Sequence, residues 1–387
     1  MVREVVIVDG DSLGFNDLKS VINQQEVKMK KFKLGLILGL AVLLLSVFSL
    51  TGAYAADKKI WRWGTSNPGA YGYRVSAFLS DFLRRGMPDY DVTVYPFAST
   101  TANIKNFLVG ELESTYSAEP GLRKLYAFIK PFKGFEPNVK QMPVQSFWSY
   151  TMETHILTLP KNKDKFRSWS DLDGKKIYMT KAGYMNHINI FRAMGEINGL
   201  NIKHVEVDMS KVADALRAGT IDATAAYTTA LVSLAGWLKV LDVASPLHGV
   251  NPTPEQIEKL TAAGFTPAKI NMKKAYTRDL GVDELYGVPF YFGYHHGLNF
   301  PAEDIYRALK VFETEAAALP KLDPGFGPLA KDFAGFQVKG IQSIPEVPVH
   351  PGLAKYLKEK GLWDSSWTIA TEETIKAAIK AMKAKTQ

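Results

Sequence analysis

From Ile60 onward the apolar residues of this chain switch repeatedly between a period of two and one of about 3.6, and that alternation leaves few folds open. Ile60–Trp63 reads as a strand ending at Gly64. Val75, Phe78, Leu79, Phe82 and Leu83 then share one helical face. Val92–Tyr95 is a second strand, Ile104, Phe107 and Leu108 a short helix, and a third strand lies near Ser114–Ser117. This β-α-β-α-β order predicts a parallel sheet covered by helices.

The pattern restarts after a loop rich in Pro, Lys and Phe at Lys130–Pro143. His155–Leu159 is read as a strand, and Asp171–Lys176 as a turn into strand Ile177–Met179. A helix carrying Ile188, Phe191, Met194 and Ile197 leads to strand His204–Val207. Ser210 is then expected to cap a helix bearing Val212, Ala213 and Leu216, with Gly219 at its end, before strand Ile221–Ala226. In the last third Pro301 opens a helix with Ile305, Leu309 and Phe312. Glu372–Lys385 is a basic amphipathic helix with a solvated face. One α/β half followed by another predicts two lobes with a crevice between them. The expected division is 56–150 for the first part of lobe 1, 151–286 for lobe 2, and 287–387 for the completion of lobe 1 with the C-terminal helices.

Composition removes whole classes of function. The 387 residues, 46% hydrophobic and 22% charged, suffice for two cores of an ordinary globular protein. The absence of Cys excludes disulfides, thiolate metal sites, iron–sulfur clusters and a cysteine nucleophile. A net charge of +8, dispersed along the chain, attracts anions but does not describe a nucleic-acid-binding surface. His295 and His296 are adjacent, so on a strand they point to opposite faces and are not expected to hold a metal. Neither a Gly-x-Ser-x-Gly elbow nor a phosphate loop is present. Trp61 and Trp63 share one strand face and read as core. No cofactor, no metal and no catalytic residue is expected.

Near the start, Lys28, Lys30, Lys31 and Lys33 precede an apolar run from Leu34 to Leu50, followed by Ala53-Tyr54-Ala55. A basic segment, an apolar core and an Ala-x-Ala site form a secretory signal. The run approaches membrane-spanning length, but it ends directly in the small-residue site, with only Lys58 and Lys59 beyond. Residues 29–55 are therefore expected to be a signal peptide cleaved after Ala55, releasing the chain into the periplasm. Residues 1–28 are expected to be an extension upstream of a true start at Met29.

Four strand-to-helix loops are rich in Gly, Ser, Thr and Asn: 64–71, 98–103, 180–186 and 227–230. In open α/β sheets ligands bind beyond the carboxyl ends of strands, where helix N-termini offer free N–H groups to an anion. Their residues also resemble a family. Gly64–Tyr73 before an amphipathic helix resembles the opening motif of the TAXI-type solute receptors of TRAP transporters, as does Ser99-Thr100-Thr101-Ala102-Asn103. The same order continues with Asp171–Lys175, Gly183, Ala215–Ala223 and Val349–Tyr356, across nearly the whole chain beyond Ala55. There are departures: Gly69-Ala70-Tyr71-Gly72-Tyr73 replaces Gly-Gly-x-Tyr-Tyr, and Tyr116-Ser117-Ala118-Glu119 replaces an acidic, glutamine-containing stretch.

The resemblance implies an α/β, two-lobe periplasmic binding-protein fold of type II kind, each lobe a mostly parallel sheet flanked by helices, with ligand in the interlobe cleft. It further implies capture of a small organic anion, a carboxylate or acidic amino acid, by hinge closure. The solute would then be delivered in transient contact to ion-gradient-driven TRAP permease subunits. Carried over by position, the ligand-binding residues are Thr65, Ser66, Asn67, Tyr71 and Tyr73; Ser99, Thr100, Thr101 and Asn103; Tyr116 and Ser117; Lys181, Gly183, Tyr184 and Asn186; and Tyr227 and Thr228. Lys181 is the expected charge partner of a carboxylate, and Arg74 reaches the same cleft from the first helix turn. The alternatives are the binding protein of an ABC importer, a ligand-sensing module and, behind these, a periplasmic enzyme.

Overall fold

The computed structural model describes residues 28–29 and 58–386. The chain divides into two compact units, Met1–Lys58 and Lys59–Gln387, and the sheet with its helices belongs to the second. The expected extension, signal peptide and cleavage point fall on residues 1–55, which apart from residues 28–29 lie outside the described residues.

Among the described residues the chain forms β1 (Lys59–Thr65), β2 (Tyr90–Pro96), β3 (Ser114–Ala118), β4 (Val144–Thr158), β5 (Lys176–Tyr178), β6 (Lys203–His204) and β7 (Ala223–Thr229). The short β8 (Ser233–Leu234), β9 (His248–Val250) and β10 (Ala268–Lys269) precede β11 (Tyr286–His296). They make one sheet in the order β2-β1-β3-β11-β4-β7-β5-β6, with the three short strands at its margins. β1, β2 and β3 are mutually parallel, and so are β5, β6 and β7. Between the two sets lie β11 and β4, antiparallel to each other and to their outer neighbours.

Three successive antiparallel steps make the two parallel sets run in opposite directions. β3 pairs with the C-terminal half of β11, and β7 with the C-terminal half of β4. The carboxyl ends of the two sets therefore point at each other. Ala118, last in β3, lies opposite Phe292, which lies opposite Tyr150; Thr229, last in β7, lies opposite Met152. The two ends meet within two residues along β4, about 7 Å at strand rise. The register of β4 with β11 shifts at this level, between Phe292 and Gly293. Such an irregularity bends a strand pair.

The expected fold class, α/β with two mostly parallel halves flanked by helices, is the one observed, with the halves joined into a single sheet. The helix Tyr71–Gly86 buries Val75, Leu79, Phe82 and Leu83 as its spacing predicts. Trp61 and Trp63 lie in the core with rings stacked at 5.7 Å, and Trp63 meets Tyr294 edge-on at 4.6 Å. His295 packs on Trp148 and His296 on Trp61, on opposite faces of β11. Among the described residues no three His, Asp or Glu side chains are grouped to hold a metal ion. No described helix is long and apolar enough to cross a membrane.

Several expected elements differ. β4 begins at Val144 rather than His155 and is buried along nearly its whole length. With both faces covered, its polar and apolar residues do not alternate, so period two is lost. The helix expected to run through Ile197 ends at Phe191 and passes into a π turn, Arg192–Ile197, leaving Phe191 exposed. β6 is only Lys203–His204. Ser210 is not the cap: its N–H and hydroxyl both donate to Asp208 Oδ1, at 2.8 and 2.6 Å, and Asp208 caps the turn leading into the helix Val212–Ala218. Gly219 closes that helix at φ 71°, as expected.

Buried histidines make stability depend on pH. Burial holds His155 and His350 neutral, with pKa values pushed down to about 4, and His295 to about 3. In the unfolded chain they titrate at about 6.5. The unfolded state therefore binds more protons below that pH, and stability falls as pH drops through it. Glu153, pushed up to about 7 by burial, acts in the opposite sense between about 4.5 and 7. Three groups outweigh one. The thermal midpoint should fall between pH 7 and pH 4.5; a rising midpoint would show that these imidazoles are not buried neutral.

Candidate functional site

The facing strand ends carry an unusual set of polar groups. Thr65 ends β1 and is fully buried, and Ser66 follows it at 2% exposure. Thr180 lies just past β5, and Thr229 ends β7. None of these four hydroxyls, nor the phenol of Tyr178 at the end of β5, makes a well-formed hydrogen bond among the described residues, Thr229 having only the Tyr71 phenol beside it. A buried hydroxyl left unpaired costs about 1–3 kcal/mol, so native proteins pair nearly all of them. Five at the carboxyl ends of three strands mark a place built to hydrogen-bond something else.

The backbone here is strained too. Thr180 has φ 69°, and Ala230 and Leu231, directly after β7, have φ 52° and 63°. For a β-branched residue that conformation is a genuine outlier, of a kind that clusters at binding and catalytic sites. Glu153 on β4 holds the second turn, accepting hydrogen bonds from Thr228 Oγ1 and the Leu231 N–H, both at 2.8 Å.

Loops from the two halves touch. Asn67 Nδ2 donates to the Tyr184 hydroxyl at 2.6 Å. The Thr101 N–H and Oγ1 both donate to the Gly183 carbonyl, at 3.2 and 2.9 Å. Gly183 sits at φ 88°, and a Cβ there would lie 3.2 Å from Ser99 Oγ, so glycine answers both a backbone and a packing demand. Behind these loops the interior is aromatic. The Tyr150 hydroxyl is bonded to that of Tyr116, and its ring stacks on Phe292 at 5.3 Å and meets Tyr71 edge-on at 5.0 Å. Burial pushes the phenols of Tyr71, Tyr116 and Tyr150 well up, so all three are neutral donors.

Tyr71 donates to Asp323 Oδ1 at 2.9 Å, and the Arg74 guanidinium is bonded to the same buried carboxylate. Gly325, two residues on, presses against both Thr229 and Tyr71: a Cβ on it would come within 2.5 Å of each. A turn of the C-terminal third thus joins the end of β7 to the first helix.

The structure gathers Ser66, Asn67, Tyr71, Ser99, Thr101, Tyr116, Gly183 and Tyr184, with Thr65, at the facing strand ends or the loops that close over them. Ser117 and Met185 meet across Gly121. Other expected residues have internal duties. Asn103 donates to Thr115 Oγ1 and the Tyr116 carbonyl, holding β3. Thr228 serves Glu153, the Tyr227 hydroxyl accepts from Trp237 Nε1 at 3.0 Å, and Asn186 points at Met152 Sδ. Thr100 is buried in the first turn of its helix, and Tyr73 is half-buried. Lys181 is half-buried, with Asp208 in its field. Arg74 reaches the cleft but is paired with Asp323. Tyr150, Phe292, Asp323 and Gly325 carry no sequence signal, because long-range pairing alone brings them here.

Comparison with known proteins gives distant likenesses. A family model described as NMT1/THI5 like matches residues 135–283, from the approach to β4 through the whole of the second parallel set. No curated protein matches. Among solved structures, the aliphatic sulphonate binding protein SsuA from Escherichia coli is 12% identical, covering 85% of this chain and 88% of that one, with a TM-score of 0.43. SsuA from Xanthomonas axonopodis pv. citri, bound to MOPS, is 14% identical over 81% of this chain and 98% of that one, at 0.42. A putative L-cystine ABC transporter protein from Listeria monocytogenes is 14% identical over 69% of this chain and 95% of that one, at 0.41. The chain's own topology, two opposed parallel sets joined by an antiparallel pair of strands, is the expected α/β architecture. The family match names no TAXI-type receptor.

Tyr184→Phe removes the acceptor for Asn67 while leaving the ring in place. Stability should change by about 1 kcal/mol or less. The ligand-free protein should shift towards a larger radius of gyration in small-angle scattering. An unchanged scattering curve would show that this bond does not help hold the loops together.

Proposed function

We propose that this chain is an extracytoplasmic solute-binding protein that captures a small organic anion between its two parallel strand sets and releases it to a membrane transporter. The observation that carries the reading is the set of buried hydroxyls of Thr65, Ser66, Thr180 and Thr229, without a well-formed hydrogen bond and distributed over both facing ends. A ligand bonded to both ends favours the closed arrangement by the contacts it makes only there. The helices after β1 and β5 start next to the facing strand ends with no acidic residue in their first turns, and such N-termini favour negative charge, whereas the helix after β3 already carries Glu119 there. With Arg74 engaged by Asp323, recognition rests on hydroxyls, N–H groups and dipoles, with Lys181 at the margin. The lobes run as 56–150 with 287–387, and 151–286. A leader cleaved after Ala55 delivers the protein to the periplasm.

For the membrane partner, an ATP-driven ABC importer is the reading adopted. An ion-driven TRAP permease is the second reading, carried by the order of the loop motifs. Neighbouring genes encoding an ATPase, or ion-coupled membrane subunits, decide between them.

The test is thermal unfolding against mono- and dicarboxylates, sulfonates, amino acids and sugars. A ligand at a hundred times its dissociation constant should add about 2.7 kcal/mol, a shift of several degrees. Thr65→Val and Thr229→Val should each weaken the responding ligand by roughly tenfold or more, the worth of one hydrogen bond to a charged group. Stabilisation by sugars alone would overturn the anion reading, and turnover of a bound ligand would favour an enzyme.

A further inference from the structure

A separate groove of about 410 Å³ opens on the flank of the sheet, within the range of small-molecule sites. One wall is the helix Glu119–Tyr126 after β3 and the helix Phe333–Ser343. The other is the π turn at Arg192 and the segment around Phe265. Tyr291 of β11 lies in its lining, and Lys339 and Gln342 stand at its exposed edge.

Its charges are unequally satisfied. Arg123 is bonded to Glu119, to Glu346 at 3.3 Å and to the Ser343 carbonyl at 2.8 Å, while Glu346 Oε2 stays buried without a partner among the described residues and Glu119 also acts on Arg192 through its field. Arg192 differs. Its guanidinium lies over the Phe265 ring at 4.5 Å, yet among the described residues it has no hydrogen bond and no carboxylate within 4.0 Å. Burial pulls its pKa down, though for a guanidinium this leaves the charge intact. Lys339 likewise has no ion-pair partner among the described residues. The π turn that Arg192 opens is a rare distortion, frequent at functional sites. A guanidinium seated over a ring with no carboxylate bonded to it keeps N–H groups available to an oxyanion.

We infer that this groove is a second ligand site, for a small organic oxyanion with a flat apolar body. The head group is held by Arg192 with Lys339, and the body lies against Phe265 and Tyr291. Because Lys339 belongs to the helix Phe333–Ser343 and Arg192 to the π turn after the β5 helix, the occupant ties those two elements together. The site is distinct from the facing strand ends and does not depend on what binds there.

The experiment is titration calorimetry of the full chain with benzoate, benzenesulfonate and phenyl phosphate, which share a body and differ in head group. At least one should bind saturably. Arg192→Ala should weaken it at least about tenfold, as expected for a charge-assisted bond, and Lys339→Ala several-fold. Thr229→Val should leave it unchanged. Lys339 is exposed, so its variant folds whatever becomes of Arg192→Ala, and circular dichroism of both checks this. The inference is overturned if no probe saturates at millimolar concentration, or if binding survives both substitutions undiminished. It is equally overturned if Thr229→Val abolishes binding, which would assign the probe to the facing strand ends.

Discussion

The antiparallel pairing of β4 with β11 is the contact on which the architecture rests. Each strand serves both halves, β11 pairing with β3 along one edge over Phe292–His296 and with β4 along the other over Val288–His296, while β4 pairs with β7 over Met152–Leu157. Because these two strands run oppositely, the parallel sets on either side must also run oppositely, and their helix-bearing ends must face. No surface contact is needed to create the cleft. It arises from strand direction, and side chains only furnish it. The buried ladder also explains why Gln145, Ser146 and Ser149 are tolerated in a fully covered strand. Gln145 and Ser149 donate to nearby carbonyls, and the Ser146 hydroxyl both donates to Val144 O and accepts the His296 N–H.

Much of the first half was legible because its helices lie on the surface of a sheet and keep one wet face. Val75, Leu79 and Leu83 announce the helix Tyr71–Gly86, and Pro301 announces the helix Ala302–Glu315. β4 was not legible as a whole, since a strand covered on both faces has no alternation to read. The loops were legible as loops, through Gly, Asn and Ser. The partners of individual side chains were not: Asn103 and Thr228 have the residue types of a ligand site and are committed to backbone and to Glu153. Asp323 and Gly325 arrive at the first helix from some 250 positions away in the chain. A preference tied to local spacing cannot foresee such a meeting.

The interior of the site combines two kinds of surface. The strand ends and loops are hydroxylic, while the sheet beneath them is lined by Tyr71, Tyr116, Tyr150 and Phe292. Gly72 lets the first helix settle on Tyr116, whose ring atoms would lie 2.4 Å from any Cβ placed there. A solute with a polar head and an apolar body finds both surfaces within one short span of β4. The pairing of Arg74 with Asp323 keeps the strongest nearby cation from dominating that choice.

The opposed strand sets have a further consequence for discrimination. Helices that follow β1 and β5 start at the two facing strand ends without an acidic residue in their first turns, each start equivalent to about half a positive elementary charge, while Glu119 offsets that of the helix after β3. A neutral solute of the right outline can satisfy the hydroxyls, yet it leaves these like-signed ends opposed across a seam with little water to screen them. An anion satisfies the same hydroxyls and removes the repulsion. On the proposed function, the seam would separate solutes by charge even where it would not separate them by shape.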